Sequence, residues 1–418
     1  MTSAPLRPVA FGEFVSRAHA RGTLVVQPRM GFSDPRLMRE GLAATRSADA
    51  LTVGTLTLDS YTRVRDLPAA RKAVAEGAPL NGYPLCTHPA ATTHALLDGV
   101  LDADFPVQVR HGSPRPEHIV SRLLALGLDA TEGGPVSYCL PYGRTGLADA
   151  VAAWRTACTM LAEATTPVTP HLESFGGCML GQLCPPSMLV AISALEGAFF
   201  AQYGLRSVSL SYAQQISPEQ DREAVAALRG LAGELLPGVD WHIVVYAYMG
   251  VYPRSRPGAL SLLTAAARLA VESGAARLIV KTAAEAHHIP RIADNVEALE
   301  TAAAAAARAT RLPGPADSEV YAEARALVHT VLGLHDDIGE ALVTAFRRGL
   351  LDIPFCLHPD NAGRTRSFID HEGRLRWSDT GALPIGGAST SSRTVLTSTD
   401  LLSALSHVQR SYDCGGIP

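Results

Sequence analysis

Short β-branched, apolar runs alternate along this chain with longer segments of helical period rich in Ala, Leu and Arg, the pattern of parallel β/α units. Eight strands are predicted, at 23–27, 50–58, 107–110, 128–132, 168–173, 207–212, 241–248 and 277–281. Helices are predicted among them at 69–76, 117–126, 147–164, 186–202, 218–236 and 259–273. Eight strands point to a closed (β/α)8 barrel of the TIM type. A doubly wound open sheet gives a similar alternation, but it favours a Gly-rich turn after strand one, and Gln27-Pro28-Arg29 stands there instead. Beyond the eighth strand, 290–310 reads as an Ala-dominated helix, 318–348 as a helical pair and 350–418 as irregular chain punctuated by Gly, Pro and Ser. The expected division is a barrel over 1–289 and a helical and irregular C-terminal region over 290–418, packed on the barrel or on a partner.

Composition narrows the partners. With 418 residues, 47% hydrophobic and 18% charged, the chain can bury a large core, and a net charge of -4 gives no support for binding nucleic acid or an acidic membrane. Seven irregularly spaced cysteines do not form a disulfide framework. No leader peptide is recognisable, and no apolar run reaches the roughly 18 residues that span a bilayer. A cytoplasmic protein is expected.

Barrel enzymes carry their functional groups at the C-terminal ends of strands and in the loops just after, because the interior is filled. Those positions here hold Arg29, Arg63, Arg110 with His111, Glu132, Glu173, and Lys281 with Glu285. Taken singly, each arginine is more often a solvated rim residue. Three from successive strand ends could converge on a ligand with more than one carboxylate, which guanidinium binds through paired hydrogen bonds. Glu132 could hold an ammonium group, and Tyr138 and Tyr142 follow with hydroxyls to offer. Lys281 at a strand mouth invites a Schiff-base reading, but Glu285 four residues on favours its charged form. Neither His287-His288 nor Cys356-Leu357-His358 with Asp360 has the spacing of a zinc site, so no metal is expected.

Several motifs resemble one family. Gln27-Pro28-Arg29-Met30-Gly31, Asp59-Ser60-Tyr61-Thr62-Arg63, Arg110-His111-Gly112-Ser113-Pro114, Glu132-Gly133-Gly134, Ile279-Val280-Lys281-Thr282 and Asp352-Ile353-Pro354-Phe355 are similar, in order, to the large subunit of glutamate (methylaspartate) mutase. The resemblance runs from about Leu24 to Leu383. It implies an adenosylcobalamin-dependent isomerase that interconverts L-glutamate and (2S,3S)-3-methylaspartate by radical rearrangement. It further implies a separate small cobalamin-binding subunit, and two copies of this chain pairing within a heterotetramer.

At matching positions, the resemblance assigns Arg29, Arg63, Arg110, His111, Glu132, Tyr138 and Tyr142 to the substrate. It assigns Gly31, Asn81, Pro141, Tyr252, Lys281, Glu285 and Ile289 to the adenosyl and corrin side. The Asp-x-His-x-x-Gly signature of cobalamin domains begins at Asp240-Trp241-His242 but lacks its Gly, so His242 is read as structural and the cobalamin as the partner's. The chain departs from the family where Tyr246-Ala247-Tyr248 replaces His-Gln-Trp. A mutase of the same family acting on another amino acid, and a non-catalytic barrel that binds an acidic amino acid, are the alternative readings.

Overall fold

The computed structural model describes residues 10–141, 143–175, 183–314, 317–386 and 397–415. Eight short strands occur where the β-branched runs predict them. They are β1 (Val25–Gln27), β2 (Gly54–Thr57), β3 (Val107–Arg110), β4 (Ala130–Glu132), β5 (His171–Glu173), β6 (Ser207–Ala213), β7 (Asp240–Tyr246) and β8 (Arg277–Ile279). Hydrogen-bonded neighbours run β1-β8-β7-β6-β5-β4-β3-β2, all parallel. The ring closes between β1 and β2, where Val26 N donates to Leu51 O at 2.9 Å and Thr57 N to Met30 O at 3.0 Å. The fold is a (β/α)8 barrel of the TIM type with a further C-terminal region.

Local chemistry sets the outer helices. Asp34, Ser217 and Ser255 each cap a helix whose first or second residue is proline, accepting backbone N–H bonds in the first turn of Pro35–Ser47, Pro218–Leu235 and Arg256–Glu272. The helix Pro186–Gln202 is buried on every side from Pro186 to Phe200. The reason is a second layer: Glu319–Leu332 packs on it and on Pro218–Leu235, and Ile338–Arg348 packs on it and on Leu147–Ala162. The Ala-rich helix Ile292–Ala306 packs on Arg256–Glu272, Pro35–Ser47 and β1.

Two features were not foreseen. The helix Phe11–Ala20 closes the floor, packing Phe11, Phe14, Val15 and Ala18 against Val25, Val53, Ala130 and Ala276. Its Gly12 is needed for the close approach, since a Cβ there would lie 2.2 Å from Ser207 Oγ and 2.9 Å from His171 Nδ1. The stretch read as irregular contains an antiparallel hairpin, β9 (Arg366–Ile369) and β10 (Leu375–Asp379), and the helices Ser398–Leu405 and His407–Asp413. The hairpin docks on the barrel through Arg374, which donates twice to Glu223 at 3.0 and 2.6 Å, and through the Gln220 side chain, which pairs with the Leu375 backbone. Among the described residues no helix is long and apolar enough to cross a membrane.

Candidate active site

Polar side chains fill the barrel axis in tiers, and each tier is set by residues that alternate inward along the strands. Lowest is a histidine pair: His171 and His242 stack at 5.1 Å, and His171 bonds to Ser207 Oγ at 2.9 Å and Ser209 Oγ at 3.0 Å. Burial pushes the His171 imidazole down to about 3 and His242 in the same direction, so both are neutral. His242 thus sits in the floor, in keeping with a structural role.

Above them, Arg277 from the foot of β8 is fully buried and ion-paired with Glu173 from β5. Its guanidinium also donates to Gln27, and to Ser209 at 3.3 Å, while Gln108 donates to Glu173 at 3.2 Å. The next tier belongs to the strand ends. Arg110 Nη2 lies 2.8 Å from Glu132 Oε2, the Tyr138 hydroxyl donates to Glu132 Oε1, and the Tyr246 hydroxyl contacts both Glu132 and Glu173. Burial pushes the Glu132 carboxyl up, with Arg110 opposing. Burial acts on Glu173 in the same sense, but Arg277 and Arg110 hold it below the ordinary range.

The loop after β4 explains how Tyr138 reaches back. Gly133 has φ +127°, and a Cβ on it would strike the Tyr138 ring at 2.4 Å and Trp154 at 2.5 Å. Glu196, buried on the helix Pro186–Gln202, accepts Val136 N at 3.0 Å, Ser137 N at 2.9 Å and Ser137 Oγ at 2.9 Å, clamping the loop to the wall. Its carboxyl is pushed up to about 7 by burial.

Beside this tier lies an unmet hydrogen-bonding demand. His111 Nδ1 accepts from Ser113 N at 2.9 Å, so its proton sits on Nε2, and burial drives the ring down to about 3 and keeps it neutral. Among the described residues, His111 Nε2 and Arg110 Nη1 are buried with no hydrogen-bond partner. Two buried donors without acceptors, on consecutive residues at the end of β3, can take an anion. Arg63 borders it, its Nε donating to the His111 carbonyl at 3.0 Å, and a cavity of about 410 Å³ beside Arg63 is also lined by Arg65, Arg115 and Arg144.

A second group lies between β1 and β8. Lys281 Nζ is 3.1 Å from Glu285 Oε2 and 4.6 Å above the Tyr252 ring, and Arg29 Nη1 is 3.5 Å from the same carboxylate oxygen. The Tyr252 hydroxyl is buried and has no hydrogen-bond partner among the described residues. The structure therefore gathers Arg63, Arg110, His111, Glu132 and Tyr138 in one set and Arg29, Tyr252, Lys281 and Glu285 in another. No contact among the described residues ties Arg29 to Arg110.

The remaining expected residues stand singly. Gly31 presses on β2, where a Cβ would meet Thr57 O at 2.3 Å; the Asn81 side chain accepts from Ser60 N at 3.0 Å. Pro141 borders an apolar groove with Leu183 and Phe355, and Ile289 is exposed after β8. Tyr142 lies outside the described residues. Cys356-Leu357-His358 with Asp360 serves the wall, as His358 Nε2 meets Thr145 O at 3.0 Å and Asp360 accepts Leu147 N at 2.7 Å at the start of Leu147–Ala162.

Sequence reasoning missed Arg277 and Glu196, named Glu173 only as a strand-end charge, and singled out Tyr246 only as a departure from the family pattern. Arg277 opens its strand, away from the ends where function was sought. Inward alternation along β7 and β8 was the available signal.

A barrel with an acidic and basic mouth, two buried donors that can take an anion and a lysine–carboxylate pair after β8 is of the enzyme class that handles small charged molecules at strand ends. Comparison with known proteins sharpens this. The model of the family described as methylaspartate mutase E chain (MutE) matches residues 7–393. The glutamate mutase epsilon subunit of Halobacterium salinarum is 32% identical over 382 residues, covering 87% of this chain and 78% of the relative. The glutamate mutase epsilon subunit of Escherichia coli O157:H7 is 29% identical over 390 residues, covering 88% and 80%. The chain belongs to the methylaspartate mutase E chain family, and is a mutase subunit by kind.

Proposed function

We propose that this chain is the catalytic subunit of a glutamate mutase, binding L-glutamate at the barrel mouth and interconverting it with (2S,3S)-3-methylaspartate by means of adenosylcobalamin carried on a small partner subunit. The observation that carries the reading is the pairing of unmet donors, Arg110 Nη1 and His111 Nε2, with the adjacent Glu132 carboxyl. An amino acid offers the complementary groups: a carboxylate for the guanidinium and imidazole N–H, and an ammonium for Glu132. Arg63 at the rim is placed to take the second carboxylate of a diacid. The neutral state of His111 suits a donor to an anion that must not transfer a proton.

The residues between β1 and β8 fit an adenosyl group. The buried Tyr252 hydroxyl lacks a hydrogen-bond partner among the described residues, and Lys281, Glu285 and Arg29 offer donors and acceptors for a ribose and a purine. When bound, adenosylcobalamin supplies the radical that takes a hydrogen atom from the substrate and returns it. The chain's own work is to fix the diacid at both ends and to keep water from the reacting carbons. The small cobalamin subunit, two-chain pairing and heterotetramer belong to the same proposal.

The test is conversion of L-glutamate to 3-methylaspartate by this chain with a candidate small subunit, with and without adenosylcobalamin, in the dark. Product in the complete mixture alone is the expected result. No product, with a small subunit shown to bind both cobalamin and this chain, would overturn the assigned substrate and favour another amino acid.

A further inference from the structure

Three oxygens from three strands stand in a row inside the barrel. Tyr246 Oη is 3.0 Å from Glu132 Oε2 and in hydrogen-bond contact with Glu173 Oε1. Each such O···O contact needs a proton, because without one lone pair faces lone pair in a buried site of low polarity. Two contacts need two protons, and a phenol brings one. The second must reside on a carboxyl. Glu173 is surrounded by donors, with Arg277 paired to it, and Gln108 and Ser209 each at 3.2 Å. Glu132 has Arg110 at 2.8 Å and the Tyr138 hydroxyl.

We infer that Tyr246 is a positioning residue that keeps a proton on Glu132 in the substrate-free protein, accepting a hydrogen bond from the neutral Glu132 carboxyl while donating to the Glu173 carboxylate. Each of the two contacts in the row then has its proton. The opposite directions in which the two carboxyls are displaced, Glu132 upward by burial and Glu173 downward by the guanidiniums, agree with this order. The charged and titratable groups facing Glu132 are Arg110 from β3, Tyr138 from the loop after β4, Glu173 from β5 and Tyr246 from β7, with Arg277 from β8 behind Glu173. A neutral Glu132 leaves the Arg110 cation free to be compensated by a ligand's carboxylate.

The consequence for binding rests on the proposed reading that Glu132 receives the substrate's ammonium. The arriving cation makes the carboxylate the favoured form, so the O–H bond of Glu132 breaks, its proton leaves to solvent, and about one proton is released per site filled. The ammonium then replaces that proton as the donor to Glu132.

Difference infrared spectroscopy on the full chain tests this without any substrate. Glu196 and Asp221 are other buried acids pushed up to about 7, so the assignment comes from subtraction of the isosteric variant Glu132→Gln. Near neutral pH, wild type minus Glu132→Gln is expected to show the C=O stretch of a protonated carboxyl. Tyr246→Phe, which removes the acceptor of that proton, is expected to replace the band with carboxylate absorption. No band in the first difference overturns the inference, and an undiminished band in Tyr246→Phe removes Tyr246 from the role. L-Glutamate, added to the chain with its cobalamin partner, should abolish the wild-type band. A band present, lost in Tyr246→Phe, yet indifferent to glutamate would uphold the positioning role and overturn the substrate reading instead.

Discussion

Arg277→Met separates the charge of the barrel interior from its shape. Arg277 and Glu173 are both fully buried, and Met fills much of the arginine's volume while removing the cation. Breaking one side of a buried pair costs about 3–5 kcal/mol. An independent ceiling comes from titration, since the orphaned Glu173 can escape its unpaired charge by taking a proton. Near pH 7 that lies about 2.7 units above the ordinary glutamate value, a cost of about 3.7 kcal/mol. Near pH 5.5 the same escape costs only about 1.6 kcal/mol. The sign follows from Glu173's folded-state value, which lies below the ordinary one. The wild type therefore keeps the whole benefit of the pair at both pH values, while the variant's unpaired, buried Glu173 is displaced upward and escapes its charge more cheaply as pH falls, so the gap between the proteins narrows toward acid. Tyr246, Gln108 and Ser209 still donate to Glu173 in the variant and lower the cost without replacing the cation. The assay is urea denaturation followed by circular dichroism at both pH values. The double variant Arg277→Met with Glu173→Leu should recover most of the loss. An unchanged midpoint for the single variant, or a loss of the same size at both pH values, would refute the reasoning.

Three further outcomes are expected. Arg110→Lys keeps the charge but loses the planar fork that reaches Glu132, and kcat/KM for glutamate should fall by about 10- to 1000-fold; wild-type turnover would remove Arg110 from the site. Glu285→Gln loosens Lys281 and Arg29 together, so the apparent KM for the coenzyme should rise while glutamate binding stays near wild type, and steady-state kinetics with each varied in turn would show an equal rise in both if the assignment is mistaken. Glu196 has a folded-state carboxyl raised to about 7, so its contribution is whole below the ordinary glutamate value and is lost as pH rises through about 7. Melting temperature should therefore drop across that range and drop by less in Glu196→Gln, the remainder coming from the other buried acids displaced upward, Asp221 to about 7, Asp129 to about 6, and Glu132.

The barrel was legible because each strand is a compact β-branched run between helical segments, and Val107–Arg110 falls on its predicted bounds. The hairpin Arg366–Asp379 was not, because its hold on the barrel comes from Gln220 and Glu223, far away in sequence. The helix Phe11–Ala20 escaped notice since its purpose, stopping the floor, exists only once the strands have closed. At the mouth, strand-end residues gave Arg110, Glu132 and Lys281, but Tyr246 stood out only as a departure from the family pattern, since nothing in the spacing shows that its hydroxyl meets two carboxyls. Spacing also could not show that Arg29 would pair with Glu285 and not stand with Arg110, because which strand ends face one another depends on the tilt of the closed ring.

The stopper at the floor bears on how reactive chemistry is kept dry. The side chains that fill the axis are shut off from solvent at the floor by the helix Phe11–Ala20, seated so closely that only a glycine fits against Ser207 and His171. Containment then becomes a one-ended problem: a single cap over the strand ends encloses everything between. On the proposed reading, that cap is the small cobalamin subunit, and its docking would mark the moment at which the interior is ready to react.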